Sequence, residues 1–157
     1  NDCISKPINV KVLTGKIKQY VKRSEVEIEN ESAENEKILT IETTHVHLDS
    51  LFTLTNSDVT KVAKYIDIFF RNVPADLEQL KDALEANDFE MVGKMAHKMK
   101  GNVSYMGIDS IKDDLIELEK LKKEVGDVEE ITDIVSRVEV VIDLAIKELK
   151  KIRDNIK

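Results

Sequence analysis

The chain has 157 residues, enough for one domain of ordinary size with some flanking sequence. With 41% apolar and 35% charged residues, no Trp, five Gly and two Pro, it favours long helices around a sizeable core over a sandwich or barrel. The formal net charge of −7 argues against nucleic acid as the main partner. No apolar run approaches the ~18 residues of a membrane span, no signal peptide is visible, and the single Cys3 excludes an internal disulfide and suits a reducing, cytoplasmic setting.

The chain opens with Asn1-Asp2-Cys3-Ile4-Ser5-Lys6-Pro7-Ile8, then a helical stripe of Val10, Leu13, Ile17, Tyr20 and Val21 to about Arg23. The Lys6-Pro7 pair and the helix after it resemble the last strand, turn and final helix of a receiver domain. In that family a lysine before a proline contacts the phosphoryl group on the acceptor aspartate. The acidic pocket and acceptor aspartate of a receiver are missing here, so residues 1–23 are expected to be a C-terminal remnant. An arbitrary turn and helix is the plainer reading of so short a match.

Residues 24–47 are expected to be a linker. Glu25, Glu27, Glu29, Glu31, Glu34 and Glu36 stand among small polar residues, and like charges at this density favour an extended, solvated chain. Ile38 to Leu48 follows no single period. Glu42-x-x-His45 is the only Glu-x-x-His in the chain, whereas a di-iron bundle needs two with two further glutamates. His45-x-His47 offers two zinc ligands with no third nearby. The ligand count therefore predicts no metal site.

From residue 48 to 157 the pattern is helical. Asp49 to Leu54 reads as a short helix bringing Leu51, Phe52 and Leu54 onto the domain. Asn56 or Ser57 is the expected cap of a long helix carrying Val59, Val62, Ile66, Phe69, Val73, Leu77, Leu80 and Leu84. Pro74 within it predicts a kink or break near Asn72. Asn87-Asp88 turns the chain into a helix ending at Met106, with Asp88 as cap and Gly107 as the stop. Asp109 is the expected cap of the next helix, to about Lys123, with Ile111, Leu115, Leu118 and Leu121 on its face. Gly126 breaks the chain. Asp127-x-x-Glu130 resembles a capping box for a last helix bearing Val128, Ile131, Val135, Val138, Ile142, Ala145, Leu149 and Ile152. Four such stripes joined by short turns predict an all-α fold: an antiparallel up-down four-helix bundle, with the helix of residues 9–23 as an extra N-terminal element.

The chemistry concentrates on the third long segment. Phe89, Val92, Ala96, Met99, Val103 and Met106 recur in steps of three and four and define its buried face. His97 then points roughly 140° from the centre of that face. Its outer stripe holds Glu90, Gly93, Lys94, Lys100, Gly101 and Ser104. Each helical glycine costs roughly 0.5–1 kcal/mol against alanine, so bare backbone at i−4 and i+4 from one histidine asks for a reason. Access by a large partner is one. A solvated histidine beside packing glycines is the other.

Ala96-His97-x-x-Lys100-Gly101, with Met106-Gly107 after it, resembles the core motif of histidine-containing phosphotransfer (HPt) domains. The resemblance covers about Leu48 to Arg153 and implies that His97 accepts a phosphoryl group on Nε2 from a receiver-domain aspartate and passes it to another receiver. Lys100, one turn on, then leans toward the phosphoryl oxygens. Lys94 and Lys98 flank the site and attract the acidic pocket of a receiver, although a solvated helix face is an equally good reading of both. Magnesium is expected on the partner receiver and no cofactor in this chain. The expected protein is a monomeric phosphoryl carrier without its own ATP-binding domain, at the cytoplasmic end of a hybrid sensor kinase, with no nucleic-acid or membrane contact of its own. Two alternatives stand beside it. The phosphoacceptor and dimerisation bundle of a sensor kinase places Glu after the histidine and Pro a turn later, where this chain has Lys98 and Gly101. A non-catalytic module would only dock receivers, and His97 with Lys100 argues against it.

Overall fold

The computed structural model describes residues 37, 38, 40–121 and 127–156, and no strand occurs among them. Five α-helices follow in order: α1 (Asp49–Leu54), α2 (Val59–Glu85), α3 (Phe89–Tyr105), α4 (Lys112–Glu119) and α5 (Val128–Asn155). A 3-10 turn, Asp109–Ile111, leads into α4. The receiver-like segment with Lys6 and Pro7, the helix expected over 9–23, most of the acidic linker and the break at Gly126 lie outside the described residues.

α2 packs on α3, α3 on α4, α4 on α5, and α5 closes back on α2. Direction is legible from side-chain partners. Arg153 grips Asp67 at 2.9 and 3.2 Å, while Lys81 meets Glu139 at 2.7 Å, so α5 descends as α2 rises. Asp76 with Lys98 and Tyr65 with Tyr105 give α2 and α3 the same opposed sense. This is the antiparallel four-helix bundle that the apolar stripes predict. The Arg153–Asp67 and Lys81–Glu139 pairs lie at the surface, where an ion pair contributes about 0–1 kcal/mol. The bundle is held by the stripes themselves: Phe69, Leu80, Met99, Leu115, Leu118, Ile142 and Leu149 are fully buried. No helix among the described residues is long and apolar enough to cross a membrane.

Five local expectations are corrected. Of the kink or break expected at Pro74, the break does not occur: α2 runs continuously through it, and its apolar face continues past it in Leu77 and Leu80. Proline deprives the Phe70 carbonyl of its helical partner, but Phe69, Val73, Leu77 and Leu80 are buried on both sides of it, and that packing outweighs the local loss. The cap of α2 is Asp58, which accepts from the Lys61 N–H at 3.2 Å. Asn56 and Ser57 have φ of 53° and 60°, whereas Asp58 has the extended backbone a cap requires. Asp109 does not cap α4; its carboxylate pairs with Lys112. α4 ends at Glu119 rather than near Lys123. Leu54, expected on the domain, is 56% exposed, while Leu51 and Phe52 are buried as predicted.

Asp88 and Asp127 cap their helices as the sequence predicts, accepting from Met91 and Glu129 N–H groups at 3.0 Å each. α1, α2 and α3 end in one pattern, with a residue at positive φ just past each: Asn56, Asn87 and Gly107. After α3 the Gly107 N–H donates to the Ser104 carbonyl and the Ile108 N–H to the Val103 carbonyl, both at 3.1 Å. Two otherwise orphaned carbonyls are thereby satisfied.

Residues before α1 lie against the bundle. Ile38, Val46 and Leu48 are buried. The Glu148 carboxylate of α5 accepts from the consecutive N–H groups of Thr44, His45 and Val46 at 3.0–3.2 Å. The His47 N–H donates to the Met106 carbonyl at 3.1 Å, beside Gly107. A Cβ on Gly107 would fall 1.9 Å from the His47 carbonyl oxygen, at a φ of +62° that disfavours side chains.

Two glycine substitutions are therefore expected to act in opposite directions in urea unfolding. Gly107→Ala should lose at least about 2 kcal/mol, because left-handed strain and the clash combine. Gly101→Ala, where nothing lies within 4 Å of an added Cβ, should gain about 0.5–1 kcal/mol. Equal effects would contradict the assignment.

Candidate functional site

α3 presents His97 on its outer face because Val92, Ala96, Met99 and Val103 are fully buried on the inner one. The imidazole is 69% exposed and lies on the side of α3 that faces α4. There the structure supplies a residue that reading the sequence missed. Glu119, the last residue of α4, places Oε1 2.6 Å from His97 Nδ1. Its Oε2 takes the ammonium of Lys100. One carboxylate thus bridges the histidine and the lysine one turn further on. No pattern in α4 marks Glu119, which follows Leu118 as an ordinary non-core position. Its role depends on which helix lies opposite.

Lys100 and His97 together hold the Glu119 carboxyl below its ordinary range, the lysine hydrogen bond being the larger cause. Glu119 is therefore ionised at neutral pH, and an ionised carboxylate only accepts hydrogen bonds. The Nδ1 atom must then carry the proton, which in the neutral ring leaves the lone pair on Nε2, across the ring from Glu119. A negative charge at the C-terminus of its own helix is unfavourable for Glu119. The two cationic or donating groups from α3 offset it.

The two glycines flanking His97 have different surroundings. Gly101 is exposed and open, as the access argument expects. Gly93 is buried, not on an open stripe. A Cβ there would stand 3.1 Å from the Leu121 carbonyl oxygen and 3.3 Å from those of Glu119 and Leu118. The expectation that Gly93 clears a path for a partner is corrected: its missing side chain lets the end of α4 approach α3, which brings Glu119 to His97.

The three lysines near His97 each have a carboxylate. Lys94 pairs with Glu90 at 3.0 Å along its own helix, and both are exposed. Lys98 reaches across to Asp76 of α2 at 2.6 Å. Lys100 reaches the other way, to Glu119. Ser104 lies exposed on the same stripe, two turns past His97, and its carbonyl serves the helix end at Gly107. Among the described residues no three His, Cys, Asp or Glu side chains gather as metal ligands, and Glu42, His45 and His47 form no such group.

Residues 64–152 match the family model of the Hpt domain, which is more than half of the chain and spans most of α2 through most of α5. The chain belongs to the Hpt family. Hpt domains are phosphocarriers in two-component phosphorelays, moving phosphoryl groups by way of a histidine in exchange with receiver domains, and are not catalytic enzymes. Comparison with curated proteins and with solved structures finds no match.

The lowered Glu119 pKa has a definite sign in stability. A carboxyl depressed by folding contributes stability that is fully present above its unfolded value, 4.5, and lost as pH falls through the folded one. Thermal unfolding of the wild type and of Glu119→Gln should therefore differ at neutral pH. The difference should shrink progressively below pH 4.5. A gap that stays constant down to about pH 3 would remove the bridge from the stability of the fold.

Proposed function

We propose that His97 is the phosphoacceptor of this chain, taking a phosphoryl group on Nε2 from a receiver aspartate and passing it to another receiver. The observation that carries this reading is the 2.6 Å contact between Glu119 and Nδ1 on an imidazole that is otherwise mostly exposed. It selects the tautomer whose nucleophilic nitrogen lies on the ring edge away from Glu119.

The transfer balances on the chain's own groups. Nε2 attacks phosphorus in line, the N–P bond forms, and the P–O bond to the donor aspartate breaks, releasing a carboxylate. The ring keeps its Nδ1 proton and becomes an imidazolium, whose charge Glu119 faces directly. Onward transfer runs the same steps in reverse order, with a second aspartate as nucleophile. Phosphoryl transfer asks a protein mainly for position and charge stabilisation. Lys100, already one turn from His97, is the cation that meets the phosphoryl oxygens. Gly101 leaves the approach open, and Ser104 lies at the edge of the same stripe. Lys94, compensated by Glu90, contributes least.

Magnesium on the receiver supplies its carboxylate pocket with the cation that steadies the transferring group, and this chain serves as a monomer. Lys6 and Pro7 fit a receiver remnant joined to this domain, as in a cytoplasmic hybrid kinase arm.

Labelling by a phosphorylated receiver tests the acceptor. His97→Gln should keep the helical circular-dichroism signal and lose all acid-labile, alkali-stable label, whereas undiminished label would move the site to another residue. Gly101 tests access. Gly101→Gln should keep or raise the melting temperature while transfer falls at least about tenfold, roughly 1.4 kcal/mol of transition-state stabilisation. Normal transfer in that variant would show that the open backbone has no part in docking.

A further inference from the structure

Lys98 and Lys100 stand on opposite sides of His97 and are held in different ways. Lys100 shares Glu119 with the histidine, and that carboxylate is 29% exposed. Lys98 is bound to Asp76, whose side chain is 2% exposed, while the lysine itself is 56% exposed. The Asp76 Oδ2 atom is buried with no hydrogen-bond partner among the described residues, so Lys98 is the one group seen to compensate this carboxylate. A buried charge with a single counter-ion holds it far more firmly than an exposed one, because separation leaves the charge uncompensated in a poor solvent for it.

We infer that Asp76 is a positioning residue for receiver recognition: it pins the Lys98 ammonium on the α2 side of His97 as a fixed positive charge that the acidic surface of a receiver meets. This rests on the reading of His97 as phosphoacceptor. Helix geometry separates adjacent residues by about 100°, so Lys98 does not share the face of His97, whereas Lys100 is a near neighbour on it. Lys100 can exchange the half-buried, still solvent-accessible Glu119 carboxylate for phosphoryl oxygens. Lys98 cannot leave Asp76 without stranding it. The two lysines therefore divide the work, Lys100 serving the transfer step and Lys98 the encounter. An interfacial charge held in place before docking loses little freedom on binding and acts on association, with a strong dependence on salt.

Two measurements on the whole chain test this. The first is a urea double-mutant cycle of Asp76→Asn and Lys98→Met, which needs no partner. The single variants should each be less stable than the wild type, and the double variant more stable than Lys98→Met. Additive effects would overturn the tether. The second is steady-state phosphotransfer from a receiver that labels the wild type. Asp76→Asn and Lys98→Met should each raise KM at least about threefold with kcat little changed, and the difference from wild type should vanish near 1 M salt. The double variant should keep the raised KM despite its regained stability, and Lys98→Arg should restore the wild-type value. A purely structural Asp76 would leave KM and its salt dependence unmoved in the folded variants, and that result overturns the inference. So does a fall in kcat at constant KM, which would place Lys98 in the chemical step. A wild-type chain that no receiver labels at His97 would instead overturn the phosphoacceptor reading, and the docking role of Asp76 with it, whatever the cycle shows.

Discussion

The contact between Glu119 and His97 organises the rest of the site. It joins two helices at one point, sets the ring's tautomer and orientation, and gives Lys100 a place to rest. It exists because α4 ends where it does and because Gly93 has no side chain. Carbonyl oxygens of Leu118, Glu119 and Leu121 stand 3.1–3.3 Å from where a Cβ would lie, tighter than an ordinary contact. With any larger residue the end of α4 would have to shift outward, and Glu119 would move with it. A glycine that looks costly for helix propensity is thus required by helix packing.

The charges around the histidine follow one rule. Every nearby lysine is matched by a carboxylate, yet the burial of the three carboxylates differs: Glu90 exposed, Glu119 half-buried, Asp76 buried. Burial sets how easily each lysine can be taken by a newcomer such as a phosphoryl group. The field beside His97 is consequently weaker than three free lysines would make it, and more precisely shaped.

The bundle is tied to the chain before it by backbone groups. Three consecutive N–H donors converge on Glu148, and the His47 peptide fits against the turn at Gly107 that ends the histidine's helix. Chain preceding α1 and the end of α3 are therefore packed as one unit, with Val46 fully buried between them and the rest of the core.

Much of this was legible from the residues alone. The 3.6-residue stripes located α2, α3, α4 and α5, because burying an apolar face is a local pattern that needs no knowledge of the partner helix. Asp88, Asp127 and Gly107 were readable as helix ends for the same reason: caps and stops act within one turn. His97 on the exposed face, with Lys100 and Gly101 after it, followed from helix phase. What the tertiary structure decided was everything that depends on who faces whom. Pro74 stayed within α2 because packing on both sides outweighed a local preference. Gly93 and Gly101 look alike in sequence, and only the position of α4 separates close packing from open space. Glu119 and Asp76 carry no local signal at all, since a carboxylate becomes a partner of His97 or Lys98 through a contact more than twenty residues away in sequence. Periodicity and capping are properties of one helix, whereas a hydrogen bond between helices is a property of the pair.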